Sequence, residues 1–185
     1  MSLHTFTQRA EERREARYLK RKAQMSGWLP GLRNQRSRRG LVAIFLASLL
    51  GLLVSGIFLA LSITDVLSGA WSLGWMIMTF ILLISWTTLN ITVDAIDGAP
   101  MSCLDEYERA QIESLRSLVY RCFIHFGLVL LFVLVFLGTY VMSKEPSWGH
   151  YVPYFTGIFM LIPFLALTSL PTLVFAWTLP DDDAA

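Results

Sequence analysis

RRGLVAIFLASLLGLLVSGIFLALSITD, residues 38–65, runs from a pair of arginines to the next charged residue with no Asp, Glu, Lys or Arg between them. A helix on the surface of a soluble protein shows an apolar stripe backed by polar residues. This stretch is apolar all round, and it exceeds the ~20 residues that carry a helix across a bilayer. Three further charge-free stretches lie within residues 66–93, 122–143 and 150–180. Each is far too long for a buried strand. The expected fold is therefore all-α: a polytopic membrane protein with four transmembrane helices, at about 41–64, 69–93, 119–143 and 152–178. Residues 1–39 form a basic arm with a helix, 40–180 the four-helix transmembrane domain, and 181–185 an acidic tail.

Charge placement orients the spans. Of the 15 lysines and arginines, those from Arg9 to Arg39 precede the first span, and Arg109, Arg116 and Arg121 flank the second-to-third connection. The third-to-fourth connection has Lys144 alone, and the first-to-second has none. The positive-inside rule then places both termini in the cytoplasm of a cell (inner or plasma) membrane. The acidic Asp181–Asp183 tail weighs little in that rule. Cys103 and Cys122 fall on the same side; on one helix they would stand roughly 28 Å apart at 1.5 Å per residue, so no disulfide is expected.

Within the arm, residues 5–25 read as a helix, with Thr5 and Gln8 at capping-box spacing. GWLPG then breaks it. A basic stretch of this kind attracts anionic headgroups, worth ~1 kcal/mol per cation near the surface, or docks on a protein. Nucleic acid is not an expected partner, because no interleaved aromatics accompany the charge.

Ala43, Ala47, Gly51 and Ser55 succeed one another at i+4 along span one. Such a ridge lets a second helix approach closely, either within the chain or from another subunit of a homo-oligomer or larger assembly. Trp71 and Trp75 mark the outer end of span two as an aromatic belt. The connection DAIDGAPMSC, residues 94–103, leads to a helix expected to open on Ser102 as N-cap with Asp105 at N3. Asp105, Arg109 and Glu113 are spaced for i+4 pairs along it, and Ile112, Leu115 and Val119 give it an apolar stripe. Span four carries Pro163 and Pro171, which free the carbonyls of Phe159 and Leu167 and predict kinks. Thr168 and Ser169 are the nearby hydroxyls that could satisfy them.

Two polar contacts are expected to fix the register of spans two and three. Consecutive antiparallel spans are natural neighbours. Asp94 and Arg121 sit at their ends, with Asn90 and His125 one turn deeper. Pairing Asp94 with Arg121 and Asn90 with His125 would satisfy all four. His125 could alternatively sense pH.

Chemistry is sparse. No catalytic set, cofactor motif or metal-ligand spacing occurs, so an enzyme is not expected. No ionisable residue sits mid-span, where a transport path would place one. LDEYERAQIESLRSLVYR, residues 104–121, resembles the LDExxRA segment of little-characterised small bacterial polytopic membrane proteins, actinobacterial in appearance. The resemblance covers about a tenth of the chain; some proteins with similar segments are membrane partners of small transcriptional regulators, so it implies at most a regulatory role and carries no catalytic residues across. The expected function is a non-catalytic accessory or regulatory membrane protein, a subunit of a larger assembly. The alternative is an oligomeric channel or small-solute permease.

Overall fold

A computed structural model describes residues 3–63 and 68–179. The acidic tail and Asp65 lie outside the described residues. Five α-helices follow in order: α1 (Leu3–Met25), α2 (Gln35–Ile63), α3 (Trp71–Thr92), α4 (Glu106–Lys144) and α5 (Val152–Thr178). Short 3-10 turns occupy Pro30–Leu32, Ile96–Gly98, Met101–Cys103 and Pro146–Tyr151. There is no strand among the described residues. Helices α2 to α5 are each long and apolar enough to cross a membrane. The expected arm helix is present and begins slightly earlier, at Leu3.

Span three and the charged segment before it are one uninterrupted helix. At 1.5 Å per residue the 39 residues of α4 extend roughly 58 Å, about twice the hydrocarbon core. Its start differs from the expected one. The Asp105 carboxylate accepts the Glu108 backbone N–H at 2.7 Å, and Glu108 Oε2 accepts the Asp105 N–H at 3.3 Å. That reciprocal capping box uses the longer glutamate side chain, which reaches back to the cap as an aspartate at N3 cannot. Ser102 falls instead in the preceding 3-10 turn. Arg109 likewise ignores Asp105 and Glu113. It folds back onto the Met101 carbonyl, with Nε at 3.1 Å and Nη2 at 2.6 Å.

The chain divides into two compact units. One comprises Phe45–Leu83 and Ser117–Leu170. Here α2 presents glycines to its neighbours: a Cβ on Gly51 would lie 2.7 Å from Met78 Sδ, and one on Gly56 would lie 3.1 Å from Ile158 Cγ2. Phe58 stacks on Trp71 at 4.4 Å, and Phe123 meets Phe164 edge-on at 5.0 Å. Trp75, half-exposed as a residue, turns its nitrogen inward. Its indole N–H is buried and unpartnered among the described residues, close to the Gly56 position.

The small-residue ridge is only half used inside the chain. Gly51 is half-buried and Ser55 buried, whereas Ala43 and Ala47 are exposed. The reason is geometric: an i+4 row turns about 40° per step at 3.6 residues per turn, so its two ends face different directions. The seam runs through Phe45, Ser48, Leu52 and Ser55, all buried.

Helix α5 continues through both Pro163 and Pro171. Thr168 donates to the carbonyls of Phe164 and Leu165, and Ser169 to that of Leu165. Neither reaches Phe159 or Leu167. A helical hydroxyl bonds three or four residues back, and no hydroxyl stands at that offset from either freed carbonyl. Cys103 and Cys122 are free, as expected.

Candidate functional site

The other unit comprises Met1–Ile44, Ile84–Arg116 and Pro171–Ala185. It gathers the arm, the α3–α4 connection and the ends of α2, α3 and α5. Its core is mostly apolar, with Ile112 at 0% exposure and Met25, Leu89, Val93, Ile96, Leu104 and Phe175 all buried, and includes buried Arg38 and Thr172. Fully burying one such side chain stabilises by about 1.5–3 kcal/mol where water is the alternative. Of the apolar stripe on the charged part of α4, Ile112 is fully buried, and Leu115 and Val119 are half-buried.

The arm turns back at Trp28 and Leu29. Leu29 takes a left-handed conformation (φ 54°), followed by Pro30. That costs a branched side chain of the order of 1–2 kcal/mol, and Arg33 holds it in place. Its Nη2 donates to the Met25 carbonyl at 2.8 Å and its Nε to that of Trp28 at 3.4 Å. The same Nη2 meets Asp94 Oδ1 at 2.8 Å. Asn34 then caps α2, its Oδ1 accepting the Ser37 N–H at 2.7 Å.

This arrangement corrects the expected Asp94–Arg121 pair. Asp94 leaves α3 in a left-handed conformation (φ 53°), with Ala95 (φ 51°) after it. The helix path ends there, and the carboxylate turns to the arm instead of along the next span. Arg121 is exposed and bonds its own helix at the Ser117 carbonyl. The expected Asn90–His125 contact is also replaced. Asn90 Oδ1 accepts from the buried Thr172 hydroxyl of α5 at 3.4 Å, and its Nδ2 donates to the Trp86 carbonyl. His125 is exposed, and its Nδ1 donates to the Arg121 carbonyl at 2.7 Å. A side chain that bonds one turn back satisfies itself without a partner helix.

Further contacts tie this unit together. The Ser102 hydroxyl donates to Glu15, and Arg116 donates to the Asp97 carbonyl. Arg38 is 1% exposed, and its guanidinium donates to the Arg33 carbonyl through Nε at 2.8 Å and through Nη2. Arg39 stands over the Trp177 ring at 5.1 Å, a cation–π contact. Arg33, Arg38, Tyr18 and Thr172 escaped the sequence reading. In a basic run, the arginine that turns inward looks like those that face water.

Tyr18 of α1 is buried, 8% exposed. Burial, reinforced by the negative charge of Asp94 and more weakly of Glu108, pushes its phenol up to about 12. The docked arm thus holds this proton more tightly than a released one, whose tyrosine ionises near 10.0. Docking is unaffected by this group below that pH and weakens as pH rises through the interval between the two values. Limited proteolysis of the arm against pH checks this. Tyr18→Phe is expected to keep docking at neutral pH and to remove the tyrosine-linked part of the alkaline loss.

Two cavities border the arm. A larger one of about 660 Å³ is lined by Arg14, Arg17 and Arg21 of α1, by Trp28, and by Trp86 and Asp97 across from them. A smaller one of about 310 Å³ lies between Glu15 and Ala99–Ser102. Among the described residues no group of His, Cys, Asp and Glu is arranged to hold a metal ion. The geometry suits binding through charge and aromatic surface.

Four helices long and apolar enough to cross a membrane, with a basic arm helix before them, mark a membrane protein. Comparison with protein-family models, curated proteins and solved structures finds no match.

Proposed function

We propose that the chain is a non-catalytic accessory or regulatory protein of the cell membrane, both termini cytoplasmic, that works as a subunit of a larger assembly. The observation that carries this reading is the docking of the arm. Helix α1 covers the α3–α4 connection with its Tyr18 and Met25 face, and Arg33 ties it to Asp94. Its other face offers Arg9, Arg13 and Lys20 to the solvent, a charged surface presented in a fixed orientation. The lipid-length part of α4 adds support, since none of its most apolar stretch is buried within the chain. A face of that kind meets lipid or the helix of a partner. The resemblance of residues 104–121 to small bacterial membrane proteins points the same way.

The test is affinity purification of the full chain from its native membrane in mild detergent, beside a chain lacking residues 3–25. A protein partner retained stoichiometrically by the full chain and lost with the arm is the expected result. A chain that purifies alone in both forms overturns the reading. Solute flux through reconstituted vesicles above the protein-free level would favour the channel or permease instead.

A further inference from the structure

The larger cavity combines features that a merely basic surface lacks. Arg14, Arg17 and Arg21 are spaced i, i+3 and i+7, so they project from one face of α1. All three line the cavity, and none forms an ion pair among the described residues. Arg17 spends its Nε on the Arg13 carbonyl, which leaves its terminal nitrogens to the cavity. One carboxylate, Asp97, faces these three guanidiniums. The walls therefore carry an excess of positive charge, delivered by planar forks that match phosphate oxygens two at a time.

The other side is aromatic. Trp28 is 56% exposed and Trp86 38%, and both border the same cavity. Trp86 stands on the last turns of α3, where an apolar helix that crosses a membrane approaches its interface. Indoles prefer that level, one edge wet and the ring in the acyl boundary. A volume of about 660 Å³ falls within the range of small-molecule sites and accommodates a phosphate ester with its glycerol.

We infer that this cavity binds a phosphate ester, held by Arg14, Arg17 and Arg21 and flanked by Trp28 and Trp86, with an anionic phospholipid headgroup as its source. A free phosphate ester would use the arginines but gain little from two exposed indoles; a lipid uses both. The inference rests on the arm being docked as described, and it does not require a protein partner, so it stands or falls apart from the purification result above.

The experiment is native mass spectrometry of the full chain in detergent, titrated with dihexanoylphosphatidylglycerol, dihexanoylphosphatidylcholine and glycerol 3-phosphate. Binding of the anionic lipid at least tenfold tighter than the zwitterionic one is expected. The triple variant R14Q/R17Q/R21Q is expected to weaken that binding tenfold or more. The triple R9Q/R13Q/K20Q removes as many charges from the same helix outside the cavity and is expected to change it less than threefold. The variant T87W, which adds bulk to the cavity wall without altering charge, is expected to weaken binding too, which guards against an effect of misfolding in the triple. Glycerol 3-phosphate that fails to compete assigns the site to the lipid. Competition at equal concentration keeps the phosphate site and assigns it to a soluble ester. Equal loss in the two triples, equal binding of both lipids, or full binding by T87W overturns the site.

Discussion

Asp94→Arg is expected to release the arm, and Arg33→Asp in the same chain to restore it only in part. Arg33 and Asp94 are both mostly buried, with side chains 13% and 25% exposed. Hydrogen bonds to charged groups in such settings contribute about 1.5–3 kcal/mol each. Asp94→Arg replaces one with a repulsion and leaves Arg33 its two carbonyl bonds. Arg33→Asp removes the Asp94 contact together with the bonds to the Met25 and Trp28 carbonyls, and so uncaps those carbonyls at the left-handed turn. The single change at Arg33 should therefore cost more than that at Asp94, and the swap should recover the ion pair alone. Hydrogen exchange across residues 3–25 and the thermal midpoint measure both effects. Arg121→Asp, in contrast, should leave the arm protected and should not rescue Asp94→Arg. A rescue by Arg121→Asp, or an unaltered arm in Asp94→Arg, would return the acid to the neighbouring span.

How legible this was depended on which force set each feature. The four spans could be read because burial in lipid imposes itself on every residue of a helix; residues 40–64 leave no other solvent. The continuity of α4 could be read because nothing between Glu106 and Lys144 breaks a helix. The polar partners could not. Chain order makes α3 and α4 neighbours, but a carboxylate at a helix end points where the backbone turns, and two left-handed residues at Asp94 and Ala95 send it to the arm. Nothing in VDAID announces that conformation, since neither residue is glycine. His125 was expected to pair with Asn90 on the neighbouring span, yet an imidazole one turn from a carbonyl needs no such partner. Asn90 did find a partner, on the span farthest from it in sequence, because Thr172 follows Pro171 at the depth where α5 meets it. The small-residue ridge is used within the chain only along its second half, for a simpler reason. Its spacing is not a multiple of the helical repeat, so Ala43 and Ala47 turn away from the side that Gly51 and Ser55 face.

Arg38→Met is expected to destabilise the arm unit by about 3 kcal/mol or more, and Arg36→Met by less than about 0.5. The two arginines stand two residues apart, and a rule that counts cations beside the first span treats them alike. Their surroundings differ. Arg36 is exposed, and exposed substitutions away from special features rarely exceed that smaller figure. Arg38 is 1% exposed and directs two nitrogens at the Arg33 carbonyl. Methionine fills much of the same volume but carries no donor, so the carbonyl it faces loses charged hydrogen bonds worth about 1.5–3 kcal/mol each. That carbonyl belongs to the residue that grips Asp94. Loss of Arg38 should therefore loosen the arm as well as lower the thermal midpoint, and the two changes should be less than additive with Arg33→Ala, as expected of residues in one network. Arg38→Lys should fall between, because an ammonium supplies charge without the planar fork. If Arg38→Met and Arg36→Met lower the midpoint equally, the buried guanidinium has no structural role, and the arginines before the first span act only as counted charge.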